Sequence, residues 1–178
     1  MNKLKLFLIA AALVFSSSAA MAQKSGYISI DQLLSIMPEA ARIDSLMAKF
    51  QADTLTQEYV NRVDQYKYYD SLLTKTDTTK MPASLRKKYA EDRDNVAYEI
   101  QNWQAIAQNA YQSKQNQLLG PVYQRIMTAI RAVAKEKGYT NVYDKQILIV
   151  GADTDDLLPA VAARLNVKLP PNFPVGIK

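Results

Sequence analysis

The sequence contains no cysteine, no histidine and only five glycines among 178 residues. Without cysteine there is no disulfide, thiol nucleophile, zinc knuckle, iron–sulfur cluster or lipid-bearing thiol. Without histidine there is no imidazole base, no Ser–His triad and no His-ligated metal. No glycine stands in a G-x-G-x-x-G or G-K-[ST] setting, so there is no phosphate-cradling loop. Ser, Thr, Tyr, Lys and carboxylates are left for chemistry, and no Asp/Glu pair stands out for glycosidase work. The composition points to a binding protein without cofactor or metal, and not to an enzyme.

Long apolar runs are also scarce. The one run of ten is LFLIAAALVF at residues 6–15, preceded by Lys3 and Lys5 and followed by Ala20-Met21-Ala22 before Gln23. A basic start, a short apolar stretch and a small-x-small site make a secretory signal peptide, with cleavage expected after Ala22. Ten residues at ~1.5 Å each cannot cross a ~30 Å hydrocarbon layer, so a membrane anchor is the poorer reading. Cleavage leaves residues 23–178 and removes two lysines, lowering the formal charge from +5 to +3.

What charge there is sits mid-chain. Residues 60–90 carry Arg62, Lys67, Lys75, Lys80, Arg86, Lys87 and Lys88 against Asp64, Asp70 and Asp77. Such an excess suits nucleic acid, an anionic membrane surface or acidic protein segments, or is simply a solvated helix face. Export argues against nucleic acid.

From Glu39 to Leu73 there is no Gly or Pro, and Ile43, Leu46, Met47, Phe50, Tyr59, Val63, Tyr66, Tyr69 and Leu73 recur at helical spacing. Pro38 suits the first turn of this helix. Residues 74–82, TKTDTTKMP, read as a tip loop. A second helix from Pro82 carries Leu85, Tyr89, Val96, Ile100, Trp103, Ala107, Tyr111 and Leu118, and continues past Gly120-Pro121 to Gly138, a C-cap. Pro121 is expected to bend or break it. Folding back at the tip pairs Leu72 with Leu85, Tyr59 with Tyr98, Phe50 with Ala107 and Leu46 with Tyr111, every pair of numbers totalling 157. The arm over 39–117 would be roughly 54 Å long at ~1.5 Å per residue.

Both chain ends supply a small body, residues 23–38 and 118–178. Tyr27–Ile30 reads as a strand, with Asp31 capping a short helix. Thr140–Tyr143 and Ile147–Val150 read as two strands flanking a weak hairpin turn at Asp144-Lys145-Gln146. Asp155 or Asp156 caps a last helix with Leu157, Val161 and Leu165 on one face, before an irregular tail with Pro170, Pro171 and Pro174. A body this small is marginal alone, and short strands leave edges, so burial predicts an oligomer. The fold class expected is α+β, mostly α: a long antiparallel helical hairpin on a small β body.

Three segments carry a family likeness: GYISIDQLL at 26–34, LLGPVYQRIMTAIRAVAKEKGYTNVYDKQILIV at 118–150 and DTDDLLPAVAARLNV at 153–167. They resemble the OmpH/Skp family of periplasmic chaperones, and the middle segment is the most specific. The intervening hairpin matches in length and character but not in motif. The resemblance implies a homotrimer whose bodies close into one β-barrel, with helical arms around a cavity. It implies a periplasmic, ATP-independent holdase for unfolded outer-membrane proteins.

Many weak contacts suit such clients better than one shaped pocket. The candidate client contacts are Lys67, Tyr68, Tyr69, Lys75, Lys80, Arg86, Lys87 and Lys88. Tyr66, Tyr89, Tyr98 and Trp103 follow the apolar stripe and read first as seam packing. Gly120 and Pro121 form either a hinge or a fixed bend. Asp153, Asp155 and Asp156 resemble a fragment of a calcium loop but lack its Gly and distal Glu, so helix capping is the better reading. A coiled-coil structural or adaptor protein of the cell envelope is the alternative; exposed arm aromatics and a basic arm end would favour the chaperone.

Overall fold

A computed structural model describes residues 23–75 and 80–177, which form two compact units. The expected signal peptide lies outside the described residues, as does the centre of the tip loop. One unit holds the residues up to Ile36 and those from Ile126 on; the other is Met37–Arg125. The chain is mostly helical, with one two-stranded sheet among the described residues.

In the first unit, strand β1 (Ser25–Ile28) leads into helix α1 (Ile30–Ser35). The cap of α1 is Ser29, whose Oγ accepts the Gln32 N–H at 3.2 Å, and not Asp31, which lies inside the first turn. Strand β2 (Asn141–Asp144) pairs with β1 in parallel, Tyr27 opposite Tyr143. The other side of β1 is engaged too: Tyr27 bridges to Asp156, and the Leu157 N–H donates to the Tyr27 carbonyl at 2.8 Å. A Cβ at Gly26 on β1 would collide with the Leu157 side chain and crowd the Tyr139 ring and the Asp155 carbonyl, so only glycine fits there without a shift of its neighbours.

The expected hairpin of 140–143 with 147–150 does not form. The Asp144 carboxylate accepts the Gln146 N–H at 2.8 Å and winds Lys145–Ile147 into a 3₁₀ turn. Gln146 Nε2 then donates to Asp31 at 2.9 Å. No glycine is present to supply the positive φ that a tight hairpin needs, and Ile149 and Val150 are left 92% and 83% exposed.

The core of this unit is Ile28, Leu33, Ile126, Ile130, Val133, Leu157, Leu158 and Val161, with Tyr27 and Tyr139. Leu158 and Val161 lie on a last helix, Leu158–Arg164, before the irregular tail.

In the second unit, helix α2 (Pro38–Lys49) starts with Pro38 in its first turn and buries Ile43 and Met47. The backbone then widens to a π-helix over Phe50–Leu55, where Thr56 Oγ1 donates to the Gln51 carbonyl at 3.0 Å. Helix α3 (Thr56–Thr74) follows. Helix α4 (Ala83–Gln101) packs against it, and Pro82 precedes its first turn.

The helix is interrupted at Asn102, whose Nδ2 donates to the Tyr98 carbonyl at 2.8 Å, and not at Pro121. Helix α5 (Trp103–Lys137) runs unbroken through Gly120 and Pro121. It ends at Gly138, where φ is +72° and the Tyr139 N–H returns to the Ala134 carbonyl at 2.9 Å, as a glycine C-cap requires. The last helix of the chain, Leu158–Arg164, is α6.

Candidate functional site

Helices α3 and α4 bury almost nothing: α3 has no buried residue, and α4 has Val96 alone. Two amphipathic helices offer each other one stripe and leave the rest to solvent. They are joined by polar and aromatic contacts. Arg62 meets Glu99 at 2.7 Å, Asp70 meets Arg93 at 3.7 Å, and the Tyr69 and Tyr89 rings lie 6.1 Å apart.

Tyr59 packs on Trp103, ring centroids 5.7 Å apart, and not on Tyr98 as strict pairing requires. The pairing assumed uniform α-helix in both arms. Arg62–Glu99 and Asp70–Arg93, on the tip side of both the π-helical stretch and Asn102, already depart from that pairing, and Tyr98 is turned out, 67% exposed.

The basic candidates fall on the last turns of α3, the ends of the tip segment and the first turns of α4. Lys67, Lys75, Lys80, Arg86, Lys87 and Lys88 are all exposed. Three have acidic partners that the sequence reading passed over: Lys67 with Asp64 at 3.3 Å, Lys87 with Glu91 at 3.7 Å and Lys88 with Asp92 at 3.2 Å. The spacings of three and four residues were the available signal. The Asp92 hydrogen bond holds the Lys88 ammonium above its usual pKa. Exposed pairs of this kind contribute little, because water and salt screen them, so each lysine can exchange its partner for another anion.

Tyr68 is 59% exposed and leans on Tyr69 at 5.5 Å, so Tyr68, Tyr69 and Tyr89 make a short aromatic row beside these cations. Gly120 and Pro121 stand apart from this cluster, inside α5. Beyond its own helix and its chain neighbours a Cβ at Gly120 would meet nothing within 4 Å, so no other element demands glycine there.

A groove of about 480 Å³, which the sequence reading missed, opens at the level of the π-helix between that stretch and the start of α5. Tyr59, Trp103 and Tyr111 supply its aromatic walls, and Gln51, Gln104 and Gln108 its polar ones. Three aromatics and three glutamines at helical spacing were the signal, but it needs the cross-arm register to be seen.

The carboxylates of 153–156 are engaged within their own unit. Asp155 accepts the Tyr139 hydroxyl at 3.0 Å. Asp156 accepts the N–H groups of Leu158 and Gly176, both at 2.9 Å. Among the described residues no cluster of carboxylates is arranged to hold a metal ion, and no helix is long and apolar enough to cross a membrane.

Residues 24–165 match the family model described as outer membrane protein (OmpH-like). No curated protein matches the chain. Among solved structures, one described as an OmpH-like outer membrane chaperone from Caulobacter crescentus CB15 is 18% identical, with a TM-score of 0.49 over 86% of this chain and 91% of that one.

Proposed function

The chain belongs to the OmpH-like family, and from that membership we propose that it is an ATP-independent holdase chaperone for unfolded outer-membrane proteins in the periplasm. The observation that carries this reading is the arm surface. Tyr68 and Tyr98 stand out in solvent at 59% and 67% exposure on helices that also present Lys75, Arg86, Lys87 and Lys88. A coiled coil serving only as a rod or adaptor gains nothing from exposed tyrosines, whereas a client chain does.

An unfolded barrel protein exposes alternating apolar residues, and its aggregation needs two such chains to meet. Enclosing one client among arms suppresses that encounter without tight contacts. Weak, plastic contacts also let the client leave without nucleotide hydrolysis. Lys67, Tyr68, Tyr69, Lys75, Lys80, Arg86, Lys87 and Lys88 make the first contacts in this reading: cations draw acidic segments or an anionic membrane surface, and tyrosines hold apolar ones. Gly120 and Pro121 give the arm its point of flexure.

Three copies assemble through their small bodies into a shared barrel. Support comes from the apolar residues 147–150, since Ile147, Ile149 and Val150 are more than two-thirds exposed just beyond β2. A sheet of two strands with such a neighbour is short of partners. The segment 1–22 directs export and is removed after Ala22.

The test is light scattering of a urea-unfolded barrel protein diluted with and without the mature chain, alongside sedimentation of that chain. Suppressed scattering by a particle of three chains is expected. Undiminished scattering at threefold excess would exclude the holdase, and a monomer at micromolar concentration would exclude the shared body.

A further inference from the structure

We propose that the groove between the π-helical stretch and the start of α5 is a binding site for an extended, uncharged, aromatic-bearing segment of unfolded polypeptide; this rests on the holdase reading and gives it a specific place on the arm. The π-helix Phe50–Leu55 and the break at Asn102 are the two departures from α-helix in the described arms. Leu55 and Trp103, one from each side, both line this groove. A π-helical turn is a poorer hydrogen-bonding arrangement than the α-helix and concentrates at functional sites. Here it widens one arm beside the groove, and Trp103, the residue after the other arm's interruption, lines the same groove.

The groove's chemistry selects its occupant. None of its lining residues is charged, although Arg62 and Glu99 form an ion pair on the same two arms. A charged segment entering it would lose hydration without gaining a counter-ion, whereas a neutral one would not. The aromatic faces of Tyr59, Trp103 and Tyr111 accept apolar and aromatic side chains. Each glutamine amide presents a donor and an acceptor together, the pairing that an unsatisfied peptide group lacks.

The about 480 Å³ of space lies within the range of small-molecule pockets, enough for more than one side chain, and it is open to solvent. Barrel strands alternate apolar with polar residues and carry aromatic girdles at both ends, so such a segment occurs in every client of the proposed class.

Trp103 is the only tryptophan in the chain, so its emission reports this site alone. The experiment titrates the full mature protein with a tryptophan-free peptide of alternating Tyr and Thr, with the same peptide carrying Ser for Tyr, and with one carrying Glu for Thr. A saturable Trp103 shift with the first peptide, and at least tenfold weaker responses with the other two, is the expected result. The exposed changes Gln104→Glu and Gln108→Glu should weaken the first peptide about tenfold with helicity and melting unchanged.

A silent Trp103 in a protein that still suppresses barrel-protein scattering overturns the groove and spares the holdase; loss of suppression overturns both. A Trp103 shift that depends on protein concentration without peptide assigns the groove to a second copy of this chain. A shift with a neutral oligosaccharide but not with peptide assigns it to glycan. Either result overturns the proposal.

Discussion

Trp103 packs against Tyr59 across the arm, ring centroids 5.7 Å apart and tilted by 46°, while Tyr98, which uninterrupted pairing would place there, faces solvent. The pair joins the chain just after one interruption to the chain just after the other. An offset aromatic pair of this kind contributes ~0.5–1.5 kcal/mol beyond its buried area. A double-mutant cycle of Tyr59→Ala and Trp103→Ala, followed by urea unfolding of the mature chain, should return a coupling of that size. Tyr98→Ala should change stability by less than ~0.5 kcal/mol, as exposed substitutions do. Coupling to Tyr98 in place of Trp103 would restore the uninterrupted register.

That pair marks where the sequence is readable and where it is not. Pro38, the arm's apolar stripe and Gly138 are local signals: a missing N–H at a helix start, a 3.6-residue period and a positive φ at a helix end each act within one or two turns. The register between the arms leaves no periodic trace: Arg62–Glu99 and Asp70–Arg93 already depart from the pairing that the stripes suggest. Of the two outcomes expected at Pro121, a bend or a break, the break does not occur, since the helix continues through it. The 147–150 run has the composition of a strand, but the Asp144 side chain had already turned the backbone. The lysines of the candidate site were visible, whereas the Tyr59–Trp103 groove was not, because its walls lie more than forty residues apart in sequence.

Asp156 is buried and accepts the Leu158 N–H with one oxygen and the Gly176 N–H with the other, so it joins the start of α6 to the tail. Hydrogen bonds to a charged acceptor contribute ~1.5–3 kcal/mol, and removal leaves two donors to be satisfied. Asp156→Ala should lower stability by about 2–4 kcal/mol and speed amide exchange at Gly176. Asp156→Asn keeps an acceptor and should lose less. Equal losses for the two would show that a neutral acceptor rescues nothing and that the charged carboxylate carries the whole contribution.

The body should weaken in alkali. Burial raises the Tyr27 pKa above its ordinary 10.0, and the Asp156 and Asp153 carboxylates add to the rise. Burial raises Tyr139 as well, followed by its hydrogen bond to Asp155. A raised phenol pKa means that the folded chain keeps a proton the unfolded chain releases. The stabilisation is complete below pH 10 and is lost as pH climbs past it, by up to ~1.4 kcal/mol per pH unit per group. Urea midpoints should therefore fall from pH 9.5 to 11.5. Tyr139→Phe should make the fall shallower, because one of the two phenols is gone. A slope unchanged by this substitution would place the loss elsewhere.

Gly120 sits inside α5 with open space beyond its own helix where a Cβ would go, but Pro121 follows it directly. Gly costs a helix interior ~0.5–1 kcal/mol relative to Ala, and a Cβ in the α region before a proline crowds the ring, so Gly120→Ala should gain less than that. If the Gly120–Pro121 pair lets the arm flex, the same change should slow capture of a large barrel protein more than that of a small one. Equal capture rates would leave the pair a fixed feature of the helix.

The basic end of the arm makes the most direct kinetic prediction. Lys87 and Lys88 hold Glu91 and Asp92 only across exposed pairs, at 3.7 and 3.2 Å, and Lys75 and Arg86 are exposed nearby. Charges in this setting act over about a Debye length, ~8 Å at physiological salt, so they raise encounter rate more than final affinity. Replacing Lys75, Lys80, Arg86, Lys87 and Lys88 with Gln should slow capture of an acidic unfolded client several-fold at low salt. The difference from the parent should vanish by about 0.5 M salt, with helicity unchanged. Stopped-flow capture at a series of salt concentrations reads both effects. If the variant keeps the parental rate and salt slope, these side chains are a solvated helix face, and client recognition belongs to the aromatic surfaces alone.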